Sequence, residues 1–274
     1  MLKKLFTFLS NPRENYPNSY ILKYHLLKSL KKIFNKKNSS TGTKDMFDWS
    51  LYNLHFRGEI KEMQKQYTVT LKPDDYVYKN NVLIRNNEVK PMHPLYCLLY
   101  ETILRLRPHS VLEIGCGSGL HLKNINTLSP DIYLNGFDRS QKQLNFLFEL
   151  FPDLKANVFV NDATEEGLEK NIAKVDLTYT LAVIMHIHKD QTHITALKNL
   201  FNLANNQVIL IERWKNHDFM QDIKNLHQQK AISWKNIYFY IRRDKNQPDF
   251  CLMVCSRTPL EYREVESYDI FPKS

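Results

Sequence analysis

At 274 residues and 43% apolar, the chain is long enough for one sizeable domain with additions, or two small ones, and apolar enough to bury a core. Its net charge of +9 is concentrated: residues 1–40 carry nine Lys and Arg against the lone Glu14, and the rest is nearly neutral. A neutral body argues against a large phosphate-tracking surface, and no apolar run approaches the ~18 residues of a membrane span.

The first nine residues have a positive end but an apolar stretch too short for a signal peptide. Over residues 20–34, Leu22, Leu26, Leu27, Leu30, Ile33 and Phe34 share one helical face, with Lys28, Lys31 and Lys32 opposite. Two readings stand for this basic amphipathic helix: docking on the body with a solvated lysine face, or peripheral contact of residues 1–40 with an anionic membrane or acidic partner. The polar run 35–43 reads as a linker, so 1–44 forms a first region. Residues 45–107 read as a mainly helical lid or docking region, with an extended portion around Tyr76–Tyr78 and Val82–Arg85.

From 110 onward the pattern is regular. Apolar strands at about 110–114, 132–138, 157–161, 175–182 and 207–212 alternate with helical stretches at about 119–128, 141–150, 164–172, 191–204 and 217–229. Such alternation predicts parallel strands with crossover helices. Two last strands, 236–242 and 250–256, have no helix between them and predict an antiparallel hairpin at the sheet edge. Cys97, Cys116, Cys251 and Cys255 form no C-x-x-C pair. On a strand, Cys251 and Cys255 would stand about 13 Å apart, too far to bridge. Free thiols and a cytoplasmic location are expected, with the inner face of a membrane in reach if the basic segment binds there.

The chain holds only seven glycines, yet Gly115, Gly117, Gly119 and Gly136 fall close together. The first three follow the strand Val111–Ile114, where a nucleotide-binding loop belongs in an open α/β sheet. G-x-G-x-x-G is not met, because Leu120 stands where the third glycine would be, and no P-loop lysine follows. The second strand ends in Asp138, an acid placed to accept hydrogen bonds from ribose hydroxyls. Ser140 and Gln143 form a capping box that fixes the helix start beside it. Asp162 ends the third strand.

The segments Glu113–Gly119, Asn135–Ser140 and Asn161–Ala163 resemble the class I S-adenosylmethionine-dependent methyltransferases, over roughly residues 90–256. The resemblance implies a Rossmann-like, seven-stranded, mostly parallel sheet closed by the C-terminal hairpin, occupying 108–256, with 257–274 as a tail. It implies S-adenosyl-L-methionine as cofactor. Glu113, Gly115, Cys116, Gly117 and Gly119 would lie against its methionine part, Asp138 and Arg139 at the ribose, Asp162 and Ala163 at the adenine, and Thr180 and Leu181 where the methyl group leaves. No N-P-P-[YF] motif follows the fourth strand, which argues against a base or amide nitrogen as acceptor.

A hydroxyl acceptor needs a base. His186, Glu212 and His217, just past the fourth and fifth strands, are the candidates for catalytic or acceptor-side roles. His186, His188 and His193 match no familiar metal-ligand spacing, so no metal is expected. The leading expectation is O-methylation of a small molecule or glycan, including a lipid-linked or cell-surface one. RNA or protein methylation through the basic segment, and a catalytically silent cofactor-binding or scaffold protein, are the alternatives.

Overall fold

In a computed structural model, residues 69–187, 191–214, 217–243 and 250–261 are described here. All belong to the second of two compact units, Glu62–Ser274. The expected amphipathic helix, the linker, the first part of the 45–107 region and most of the tail lie outside these residues.

The described residues begin with a two-stranded antiparallel sheet, β1 (Tyr76–Lys79) and β2 (Val82–Arg85), followed by helix α1 (Pro94–Leu106). His93 caps α1 by accepting the Leu95 N–H on its ring, and Pro94 suits the first helical position. The alternation read from 110 onward then appears as β3 (Ser110–Ile114), α2 (Leu120–Leu128), β4 (Tyr133–Asp138), α3 (Gln141–Leu150), β5 (Ala156–Val160), β6 (Val175–Leu181), α4 (Thr192–Asn202), β7 (Ala204–Arg213) and α5 (Phe219–Gln228). Strands β8 (Tyr238–Arg243) and β9 (Phe250–Ser256) close the fold.

The seven strands lie in the order β5-β4-β3-β6-β7-β9-β8, parallel from β5 to β7 and antiparallel at β9 and β8. Strand order reverses between β3 and β6, so their carboxyl ends flank the crevice where such sheets bind ligands. Alternation along each strand feeds two cores. Val111, Leu134, Leu177, Tyr179, Ile209 and Ile211 face α1, α2 and α3, while Leu112, Ile114, Phe137, Val208 and Leu210 face α4 and α5.

The helix expected over 164–172 shrinks to one 3-10 turn, Leu168–Lys170. Gly167, at φ +75°, interrupts it, and upstream the Asp162 carboxylate holds the N–H and hydroxyl of Thr164 in a turn. Asn199 secures the same loop from α4 by donating to the carbonyls of Ala163 and Glu165. Among the described residues, no helix is long and apolar enough to cross a membrane.

Candidate active site

Leaving β3, the backbone turns through left-handed conformations at Gly115, Gly117 and Gly119, which only glycine adopts readily. Each glycine has its own reason. A Cβ on Gly115 would stand 2.4 Å from a methyl of Val183, and one on Gly119 would stand 2.4 Å from Leu147. At Gly117 a Cβ would meet nothing within 4 Å, so this is the open side of the loop. The N–H groups of Gly115 and Cys116 both donate to the Phe137 carbonyl at 2.8 and 3.0 Å, tying the loop to the end of β4. Cys116 itself is buried.

Asp138 ends β4 beside this loop. Its Oδ2 accepts the Gly117 N–H at 3.0 Å and its Oδ1 accepts the Ser140 N–H at 2.8 Å. Burial raises its pKa; those two N–H groups and the charge of exposed Arg139 oppose the shift. Each carboxylate oxygen keeps a lone pair beyond its backbone bond, the capacity that two ribose hydroxyls would use. Ser140 caps α3 through the Gln143 N–H, as the sequence motif predicts. Asp162, on the same rim, uses Oδ1 for both bonds to Thr164. An open, glycine-lined loop after β3, with these acids following the next two strands of the sheet, β4 and β5, fits S-adenosylmethionine.

Glu113 is enclosed, 2% exposed, opposite Tyr179 in the β3–β6 register. Burial pushes its carboxyl well above the ordinary range, with Tyr179 opposing and Asp138 adding to the shift. Its surroundings include a polar network that sequence reading did not find. Asn124 on α2 accepts the Leu71 N–H and donates to the Val69 carbonyl and to the Tyr100 hydroxyl. That leaves the Tyr100 proton for Nδ1 of His121, 2.8 Å away. Burial lowers the His121 pKa to about 4, so the ring is neutral and can accept it. Helical spacing pairs positions 121 and 124, but no spacing rule links them to position 100.

Beyond β6, Ala182 takes a left-handed conformation and the chain enters the 3-10 turn Ile184–His186. Thr180 and Glu212 are completely buried, and Leu181 is half-buried. Glu212, expected on the acceptor side, instead lies beneath this turn and receives four hydrogen bonds. Thr180 Oγ1 and the Val183 and Ile184 N–H groups reach Oε1 at 3.1, 3.1 and 3.2 Å, and the Met185 N–H reaches Oε2 at 3.0 Å. Burial raises its pKa to about 7 against the pull of those donors.

His217 stacks on His193 at 4.0 Å with the rings 19° apart, and His193 Nε2 lies 3.4 Å from Asp222 Oδ2. His193 and Asp222 therefore join His217 at the mouth of β7, a grouping the sequence motif did not indicate. His188 lies outside the described residues. Among the described residues no cluster of His, Cys, Asp and Glu has a metal-holding arrangement.

The strand order, the glycine loop and the acids at successive strand ends define a Rossmann-like cofactor-binding domain of the methyltransferase type. Residues 111–207 match the methyltransferase domain family, and the match supports the resemblance of this part of the chain to the class I S-adenosylmethionine-dependent methyltransferases. The chain is 30% identical over 146 residues to O-methyltransferase 3 of Dictyostelium discoideum, covering 52% of this chain but only 33% of that protein. It is 24% identical over 195 residues to ribosomal RNA small subunit methyltransferase G of Mycoplasma capricolum, covering 69% of this chain and 82% of that one. The solved structure of an O-methyltransferase family protein from Burkholderia thailandensis shares the fold with a TM-score of 0.56 at 10% identity, over 88% of this chain and 72% of that one.

Proposed function

We propose that the protein transfers the methyl group of S-adenosylmethionine to a hydroxyl of a small molecule or glycan. The observation that carries this reading is the meeting of the glycine loop with the His186 turn through Val183 and Gly115. It brings a histidine-bearing segment beside the position expected for the cofactor's methionine part. The similarity to O-methyltransferase 3 supports an oxygen as the acceptor atom.

When bound, S-adenosylmethionine supplies a methyl group already activated on a sulfonium. The chain has three tasks. Gly115, Gly117 and Gly119 admit the cofactor by close backbone approach, with Cys116 packed behind them. Asp138 fixes the ribose hydroxyls, and Asp162 with Ala163 bounds the adenine. His186 takes the acceptor's proton as the new C–O bond forms, a contribution of about 10²–10⁴ in rate for such a base. Thr180 and Leu181 hold the end of β6 at the transfer position, and His217 with His193 borders the acceptor from β7.

Incubation with methyl-labelled cofactor and fractionated lysate tests the reading. Label in an ether linkage of a small-molecule or glycan fraction is expected. Label on nitrogen or carbon overturns the hydroxyl acceptor, and cofactor binding without transfer to any fraction indicates a catalytically silent protein.

A second reading is favoured by the similarity to the ribosomal RNA methyltransferase and by the basic residues 1–40. On it, label becomes nuclease-sensitive and transfer falls steeply with salt. Residues 1–40 are also suited to holding the protein at the cytoplasmic face of an anionic membrane. Anionic liposomes that retain the full chain no better than a version lacking residues 1–40 would overturn that location.

A further inference from the structure

We infer that Glu212 is a positioning residue, whose carboxylate sets the turn Ala182–His186 against the glycine loop and so fixes one wall of the transfer site. The inference rests on the methyl-transfer reading above, in which His186 serves the acceptor.

Three observations converge on it. β3 and β6 are neighbours in register, Ile114 beside Thr180, so the loops that follow them lie side by side. At the end of β6 the chain does not continue directly into an α-helix. The Ala182 N–H completes the ladder with the Ile211 carbonyl at 2.8 Å, and Ala182 then turns left-handed at φ +55°, a conformation that costs a non-glycine residue about 1 kcal/mol or more. Something must hold that bend.

Glu212 follows Ile211 in β7 and reaches beneath the turn. Three successive N–H groups, of Val183, Ile184 and Met185, converge on its two oxygens. Successive amides aimed at one acceptor group form a concave nest, and here the carboxyl group of a side chain of the same molecule occupies it. With Thr180 as fourth donor, Glu212 has no exposed surface through which to touch an acceptor. Its influence passes outward through the residues it orders. Val183 leans on Gly115 so closely that a single added carbon would collide with it, and His186 closes the turn by donating its N–H to the Val183 carbonyl at 3.1 Å. One carboxylate thus sets both the contact with the glycine loop and the placement of His186.

Amide hydrogen exchange on the full wild-type chain tests the first part without any substrate. The N–H groups of Val183, Ile184 and Met185 should exchange at least 100-fold more slowly than unprotected amides, although they lie outside the sheet. Rapid exchange at all three overturns the inference, whether or not any variant folds. In Glu212→Gln, whose amide group would face the Met185 N–H, protection at Met185 should fall more than tenfold. Methyl transfer in that variant should lose at least tenfold in kcat, while the Kd for S-adenosylhomocysteine rises by a smaller factor, because Asp138 and Asp162 are untouched. A folded Glu212→Gln with kcat within twofold of wild type overturns the positioning role. If the wild-type chain methylates no hydroxyl, the functional reading fails while the exchange data still decide what Glu212 does.

Discussion

Val183 closes on Gly115 so tightly that a Cβ there would stand 2.4 Å from its methyl. The contact joins the loop after β3 to the turn after β6. Gly115→Ala combines this overlap with a positive φ, so it should destabilise the fold by about 2–4 kcal/mol. Gly117→Ala has open space around its Cβ and meets only the backbone penalty, about 1 kcal/mol. Urea unfolding of both variants checks the difference, and equal losses would mean that Val183 yields freely.

Asp138 accepts backbone N–H groups from both the glycine loop and the start of α3. Asp138→Ala removes the acceptor of both and the group assigned to the ribose. The Kd for S-adenosylhomocysteine should rise by about 10–100-fold, and the rise in Tm that saturating cofactor gives the wild type should shrink accordingly. Calorimetry and thermal shift read the two effects. An undiminished Tm response at the same cofactor concentration would remove Asp138 from the site.

The raised pKa of Glu212 has a consequence for stability against pH. An unfolded glutamate titrates near 4.5 and the folded one at about 7. Between these values the folded state holds the extra proton, so the contribution to stability is fully present below about pH 4.5 and is lost as pH rises through 7. The change is on the order of 3 kcal/mol. Unfolding free energies of wild type and Glu212→Gln, measured from pH 5 to 8, should differ in slope, with the wild type falling more steeply. Parallel curves would mean that the four donors keep the carboxylate ionised throughout.

Asn124 joins Val69, Leu71 and Tyr100 to α2. Asn124→Ala leaves the Leu71 N–H and the Val69 carbonyl without this partner and should cost about 2–4 kcal/mol. Faster amide exchange at residues 69–72, with little change across β7 and β9, would locate the damage. Uniform loosening of the whole sheet would contradict a local tether.

Much of this architecture is legible in the chain. Apolar runs separated by amphipathic stretches locate the strands from β3 to β7, and the Ser140 capping box places the start of α3. The glycine loop stands out because glycine is scarce elsewhere and its backbone geometry is costly for other residues. The segment 164–172 misleads, since its composition suits a helix while Gly167 and the turn at Asp162 end it early. Glu212 is visible as an acid past a strand, but its partners are backbone N–H groups that every non-proline residue carries, so no side-chain pattern announces them. His121 and Asn124 share a face of α2 through their three-residue spacing, but they meet Tyr100 only because α1 and α2 pack on the same face of the sheet. Such long-range pairings leave no local periodicity.

The order of the chain separates the duties of the site. Residues proposed for the cofactor run from Glu113 to Ala163 and resume at Thr180 and Leu181, and those proposed beside the acceptor run from His186 to His217 and Asp222. The two stretches adjoin through the packing of Val183 on Gly115. On the proposed reading, changes around the β7 mouth would alter which molecule is methylated while the Asp138 half stays as it is. A chimera that exchanges residues 180–222 with those of another such domain should inherit the donor's substrate choice if Val183 and Glu212 are retained.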